Sequence, residues 1–457
     1  MIRVRARTEH RHGLDKLHRD VLAAMNEALA AADPARIIRK HLKLYEQVLH
    51  VGKLQFPLKE FRRIFVIGGG KASGYMAEEV EKLVGKWITG GLVIIPDYLR
   101  PMPRGHRITY HPATHPIPTR KGMEGVLAML DLVENVSRDD LVIVLLSGGG
   151  SALMPLPIEG ISLNDEARVT SLLLKSGAGI KEINTVRKHL SQIKGGRIAA
   201  RLYPATVLTL IISDVVGDKI DAIASGPTAP DPTTYRDAEQ VLKKYDLWSQ
   251  IPTNARRVIT EGLSGSIPDT PKKESKAFKH VHNLIIGNGR ASCLAAAAAM
   301  TKAGYRTQVL SIQITGEARE AGRIFGSIAR DIRDNSLPFA PPTALVAGGE
   351  TTVTVRGKGK GGRNQELVLA AAVKISGSDA VVVGSFATDG IEGQTHAAGA
   401  LADGTTVMRG LKVGMDPEDY LGNNDSYHYF SKLKDLVITG PTGTNVNDIT
   451  ILAANGR

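Results

Sequence analysis

Three times along this chain an apolar, strand-length run ends in a glycine-rich turn that opens into a helical segment. The unit reads IFVIGGGKASGYM over 64–76, VLLSGGGSALM over 144–154 and LIIGNGRASCL over 284–294. A fourth run, ALVAGGETTVTV over 344–355, leads into a second strand-like stretch instead. Such units leave few architectures open, because strands that alternate with crossover helices build parallel sheets covered by helices. From Phe61 the alternation runs through IFVI, KASGYMAEEVEKLVG, GLVII, a helix around 122–134 and LVIVLL, and it resumes after residue 280.

With 457 residues the chain exceeds a single domain. The expectation is an α/β protein of two domains with mostly parallel sheets. Residues 1–235 read as a Rossmann-like domain carrying the first two glycine-rich turns, and residues 236–457 as a second α/β domain. Between the two alternating regions, 229–280 is rich in Pro, Asp, Thr, Ser and Lys and reads as a helical connector with an exposed loop. Near the start, DKLHRDVLAAMNEALAAAD is an amphipathic helix, broken at Pro34 and resumed from Ile37 to Val48.

Composition excludes several classes of function. The apolar runs are strand-sized, far from the roughly 20 residues that cross a bilayer. The basic N-terminus, MIRVRARTEHRHG, leads into no apolar stretch of the kind a secretory signal needs, so a cytoplasmic protein without a membrane partner is expected. Cys293 is the single cysteine, which rules out an internal disulfide or a cysteine-built metal site. The LAAAAAM stretch that follows it suits a buried helix. The net charge of +12 is spread along the chain, with no basic tract interleaved with aromatics. A diffuse positive field that gathers phosphates and carboxylates is expected, and no nucleic-acid partner.

The glycine-rich turns carry the chemistry. Glycine lets backbone approach a ligand closely, and a helix start presents free N–H groups, so phosphate is the natural guest; packing of helix against sheet is the competing reading. A Walker A loop is excluded, because Ala72 follows Lys71 and Phe65 replaces the first glycine. A dinucleotide fingerprint is nearly met by Gly68 and Gly70, with Ser73 in place of the third glycine and Asp97 ending the next strand-like run. Lys71 inside that turn suits charge that moves better than a resting pyrophosphate. In RGKGKGGRNQEL, 356–367, Arg363 and Asn364 open an apolar helix, and the arginine is placed to clamp a carboxylate or phosphate. The alternative is a solvated arginine at a hairpin tip. Asp214 and Asp389 end apolar runs beside glycine, where a carboxylate serves either as a Mg²⁺ ligand or as a base toward a hydroxyl. His111 and His115, in YHPATHP, read as loop structure.

Taken in order, VIGGGKAS, SGGGSAL, INTVRKHLSQIKGGR, ISDVVGDKIDAIASGPT, GGETTVTVRGKGKGGRNQE, FATDGIEGQTHAAGA and GPTGTNVNDI make the chain resemble the glycerate 2-kinases whose C-terminal part is the MOFRL domain. The resemblance spans almost everything from Phe61 onward. It implies transfer of the γ-phosphate of ATP to the 2-hydroxyl of D-glycerate with Mg²⁺ or a similar ion, in a cleft between two α/β domains. It also places the family's catalytic lysine and arginine at Lys71 and Arg363, and its nucleotide loop at Ser147, Gly148, Gly149, Gly150 and Ser151. On this reading Asp214 or Asp389 holds the metal ion, and Gly69, Gly70, Asn364 and Asn445 contact substrate. Glu392 and His396 depart from the family's TDGxDG-acid pattern, which bears on metal preference and local charge, and Lys219 replaces a further aspartate. An NAD(P)-dependent hydroxypyruvate reductase is the alternative, since family members have carried that name. A homo-oligomer is compatible with the sequence, which leaves its order open.

Overall fold

The structure is a computed structural model that describes residues 7–8 and 16–456. It divides into two compact units, one of residues 37–286 and one of residues 1–36 with 287–457.

The first unit is built on a six-stranded sheet. In chain order its strands are Arg63–Gly69, Gly90–Pro96, Ile108–Ala113, Asp140–Ser147, Thr206–Ile212 and Val281–Gly287. Across the sheet they run third, second, first, fourth, fifth, sixth, the order of dinucleotide-binding sheets. The ladders from Ile108–Ala113 across to Thr206–Ile212 are parallel. Every residue of Asp140–Ser147 is buried, as expected for a central parallel strand covered on both faces.

The domain boundary expected near 235 lies well inside this unit. Helices Tyr235–Lys244 and Thr253–Leu263 share one apolar cluster with Leu163–Lys175 and Ile180–His189, through Val169, Ile183, Val186, Tyr235 and Val258. The chain then returns to add Val281–Gly287 to the sheet. The helix expected to continue to Val48 also ends early, at His41. Leu42–Tyr45, Val48–Val51 and Leu54–Pro57 form a small antiparallel sheet, whose first turn places Glu46 and Gln47 at positive φ. A Glu-Gln pair is a weak sequence signal for such a tight turn.

The second unit has a seven-stranded sheet in the order Arg7–Thr8, Leu436–Ile438, Gly399–Asp403, Val381–Ala387, Asp448–Ala454, Thr343–Gly349, Arg306–Ile314. Here the parallel expectation fails. Among the described residues only Arg306–Ile314 with Thr343–Gly349 is a parallel pair, and the other ladders are antiparallel. The strand expected within 350–355 does not form either; after Gly349 the chain makes a single bridge, Thr352 to Glu317. Helix Lys16–Ala32 lays Leu17, Val21, Ala24 and Met25 against Cys293, Ala296 and Met300 of helix Gly289–Lys302. Burial pushes the Cys293 thiol up to about 12, so it packs as a small apolar group.

A glycine sets the spacing between two strands of the first sheet. Gly68 has φ +142°, and a Cβ there would collide with the Leu145 carbonyl of the neighbouring strand. Gly68→Ala should therefore cost on the order of 3 kcal/mol through overpacking and backbone strain. Urea unfolding monitored by circular dichroism would register this as a lower midpoint.

Candidate active site

In the 37–286 unit, strands Arg63–Gly69 and Asp140–Ser147 are adjacent, with Gly69 in register with Leu146, so both release their loops at the same edge. The loops are stitched together. The Lys71 amide donates to the Gly148 carbonyl at 2.8 Å, and the Ala72 amide donates to Ser147 Oγ at 3.0 Å. Ser73 Oγ lies 3.1 Å from Ser147 Oγ, which engages the buried Ser147 hydroxyl within the protein. Gly69 and Gly70 are buried; a Cβ on Gly70 would meet Ser147, and one on Gly69 would stand 2.8 Å from Met154 Sδ.

Gly149, at φ +80°, turns the chain into a helix of a single turn, Gly150–Leu153. So short a helix contributes little dipole. What the loop offers is a set of amides: Gly149, Gly150 and Ser151 donate to no backbone acceptor among the described residues. Asp214 follows strand Thr206–Ile212 and lays its carboxylate over Gly148, where a Cβ would collide with it. The Lys71 stem passes beside Gly149, 3.2 Å from where a Cβ would be. His115 lies on the same glycine, its Nε2 2.9 Å from that position. The prolines around His115 announced a loop but not where the loop would land. His111 lies in strand Ile108–Ala113, hydrogen-bonded to the Lys121 carbonyl.

The second group of residues belongs to the other unit. Strand Asp448–Ala454 runs antiparallel to both neighbours, so its first residue, Asp448, sits between Gly349 and Ala387, the last residues of theirs. Three loops thus surround one point. Arg363, first residue of helix Arg363–Ile375, puts Nε at 2.5 Å and Nη2 at 2.9 Å from the Asp448 oxygens, and Nη1 at 2.8 Å from Glu350. Burial disfavours this cation, but Asp448, Glu350 and Glu392 outweigh the effect and raise its pKa. Burial pushes Asp448 up to about 6, opposed by the two-pronged contact with Arg363.

Glu392, singled out in the sequence for departing from its pattern, is a helix cap. Its carboxylate accepts the amides of Asn364 and, at 3.1 Å, Gln365, and it packs where a side chain on Gly362 would be. It thereby fixes the turn that aims Arg363. Asn364 is buried, with its amide oxygen accepting from Ser385 at 2.5 Å. Asn445 accepts the Asn447 amide at 3.1 Å, and the segment it starts hydrogen-bonds Thr388. Asp389 follows Thr388 and accepts the Ile391 amide at 3.3 Å. Asp214 and Asp389 fall in different units, and no cluster of three His, Cys, Asp or Glu side chains that could hold a metal ion occurs among the described residues.

The pH response of this cluster follows from Glu392. Burial, then the Asp448 charge, raise it from 4.5 to about 8, against the two amide donors and Arg363. The folded state holds this proton more tightly than the unfolded chain does. Its stabilising contribution is therefore complete below about pH 4.5 and is lost as pH rises toward 8. Thermal melts across this range should show Tm falling with pH, with a clearly shallower slope in Glu392→Gln.

Residues 20–260 match the family described as a domain of unknown function (DUF4147), and residues 343–448 match the MOFRL family. A glycerate 2-kinase of Pyrococcus horikoshii is 43% identical over 95% of this chain and 97% of its own. A D-glycerate 2-kinase of Thermotoga maritima is 42% identical over 87% of this chain and 92% of its own. The crystal structure of a Thermotoga maritima glycerate kinase superposes with a TM-score of 0.82 at 39% identity, covering 96% of this chain and 99% of that one. A relative from Agrobacterium vitis, 39% identical over 92% of this chain and 91% of its own, carries a provisional hydroxypyruvate reductase name. With this identity sustained over nearly its whole length, the chain belongs to the glycerate 2-kinase family that carries the MOFRL domain.

Proposed function

We propose that this protein transfers the γ-phosphate of ATP to the 2-hydroxyl of D-glycerate, giving 2-phosphoglycerate. The observation that carries the reading is the interlocked pair of loops at 69–72 and 147–151, with the amides of Gly149, Gly150 and Ser151 beside the Lys71 stem and the Asp214 carboxylate. Phosphoryl transfer asks a protein mainly for positioning and charge neutralisation. Amides cradle the donor's phosphates, and Lys71 neutralises charge that builds on the transferred group. Mg²⁺ typically takes one or two carboxylates together with phosphate and water oxygens, a donor set that Asp214 against the phosphate loop fits. Asp389 is the second candidate for that role. When bound, the ion would offset phosphate charge.

Arg363 is assigned to the glycerate carboxylate. Two carboxylates of the protein already engage it, so it meets the substrate pre-oriented and with its remaining N–H groups. Asn364 and Asn445 support the loops around it, and Gly69 and Gly70 hold the Lys71 turn in place. A cytoplasmic setting fits such a metabolite enzyme, and no helix among the described residues is long and apolar enough to cross a membrane.

The strand order and the exposed Asp97 at the end of the second strand are what a dinucleotide reductase would also show. Against that reading, Gly70, the position where backbone would approach a pyrophosphate, is instead packed against Ser147 of the adjacent strand.

Purified protein incubated with ATP, Mg²⁺ and D-glycerate should yield 2-phosphoglycerate. 3-Phosphoglycerate would keep the kinase and overturn the choice of hydroxyl. NAD(P)H oxidation with hydroxypyruvate, without ATP turnover, would replace the kinase by the reductase. Lys71→Ala should lower kcat by roughly 10²–10³-fold while KM for ATP moves only a few-fold. A change confined to KM would remove Lys71 from the transition state.

A further inference from the structure

The segment INTVRKHLSQIKGGR, 183–197, is rich in cations, and most of them are paired inside the protein. Lys188 reaches Asp231 and Asp221, each at 3.3 Å. His189 bridges the Thr185 carbonyl at 2.7 Å and Asp269 at 2.9 Å. Lys194, buried, donates to Glu166 Oε1 at 3.0 Å. Arg187 is the exception. Its Nε is out of solvent without a hydrogen-bond partner, and the nearby Glu166 charge does not outweigh the burial that lowers its pKa. A guanidinium partly withdrawn from water and short of hydrogen-bond acceptors is costly unless a further anion comes to it.

Arg187 lines a cavity of about 390 Å³ within the 37–286 unit. Gly149 and Ser151 of the glycine-rich loop line it too, as do helix Leu163–Lys175 and the loop at 116–118. A second polar atom in its wall is equally unsatisfied. Glu166, 4% exposed, gives one oxygen to Lys194, while Oε2 is buried without a donor. Ile117 and Leu174, 67% and 63% exposed, add apolar surface to the same cavity. The helix bearing Arg187 also fixes the loop: Asn184, one turn earlier, accepts from Ser225 Oγ at 3.2 Å, and Ser225 Oγ lies 3.0 Å from Ser151 Oγ.

We propose that this cavity seats the nucleoside end of the phosphoryl donor, and that Arg187 binds one of its phosphates. The assignment rests on the kinase reading above. Glu166 Oε2 accepts a hydrogen from a ribose hydroxyl or a base amine, and Ile117 and Leu174 flank the base. A three-carbon hydroxy acid has no apolar face to cover these two side chains, whereas the cavity lies in the size range of sites for larger organic ligands.

Equilibrium binding of ATP, measured by calorimetry without glycerate, tests the assignment in the whole chain alongside steady-state kinetics. Arg187→Met should weaken ATP binding roughly ten- to hundredfold, the loss of a charged hydrogen-bonding partner. KM for glycerate at saturating ATP should stay within about twofold, and Arg187→Lys should recover part of the affinity. Ala167→Trp, at an exposed position lining the cavity, should block the nucleotide without lowering Tm, and it carries the test if Arg187→Met fails to fold. Unchanged ATP affinity in the folded variants, or a rise in KM for glycerate alone, would overturn the proposal. A wild-type protein that neither binds ATP nor phosphorylates glycerate would instead defeat the kinase reading itself.

Discussion

Strands Arg63–Gly69 and Asp140–Ser147 meet where the sheet reverses its direction of growth, and they meet so closely that neither Gly68 nor Gly70 has room for a Cβ. Everything proposed for the phosphate loop depends on that contact. Close approach brings the Lys71 amide to the Gly148 carbonyl and the Ala72 amide to Ser147 Oγ. With these groups satisfied internally, the amides of 149–151 are left without a backbone acceptor among the described residues. The crevice beyond strand ends at such a reversal is where open α/β sheets bind ligands. Here its polarity is set by which amides the packing has already used.

The other unit reaches a similar result by different geometry. An antiparallel strand placed between two others starts at the edge where its neighbours end, so one sheet delivers Asp448, the Gly349–Glu350 turn and the Thr388–Asp389 turn to a single place. Arg363 is held there by carboxylates on two loops, and Glu392 ties the start of its helix to a third. The cluster has more acids than bases, which keeps the arginine charged and its rotamer fixed. The cost appears as a buried acid whose proton the fold retains.

Much of this was legible in the residues. The alternation of strand and helix, the glycine-rich turns and the helix start at Arg363 all follow from local pattern, because each is written within about a dozen consecutive residues. What escaped was long-range. Asp448 looks like any polar residue before a strand until the strand is known to run backwards between two others. The period of a buried strand is the same in either direction, so pattern could not reveal that the second sheet is mostly antiparallel. Glu392 appeared in the sequence only as a departure from a family pattern, and it caps a helix that starts 29 residues earlier in the chain. Arg187 sat among four other cations with nothing local to separate it from them; only the partners found by Lys188, His189 and Lys194 single it out.

The second unit is discontinuous, and this bears on how a ribosome must make it. Helix Lys16–Ala32 emerges first, but the helix it packs against, Gly289–Lys302, follows after more than 250 residues. The inserted stretch of 37–286 can complete its own sheet in the meantime. At about 5–20 residues per second the first helix waits on the order of 10–50 s with Leu17, Val21 and Met25 uncovered. Even then its sheet is incomplete, since Asp448–Ala454 lies between Val381–Ala387 and Thr343–Gly349, both of which precede it in the chain. Completing this unit therefore requires an insertion into the interior of a sheet, and until that step Val381–Ala387 and Thr343–Gly349 each keep one edge unpaired.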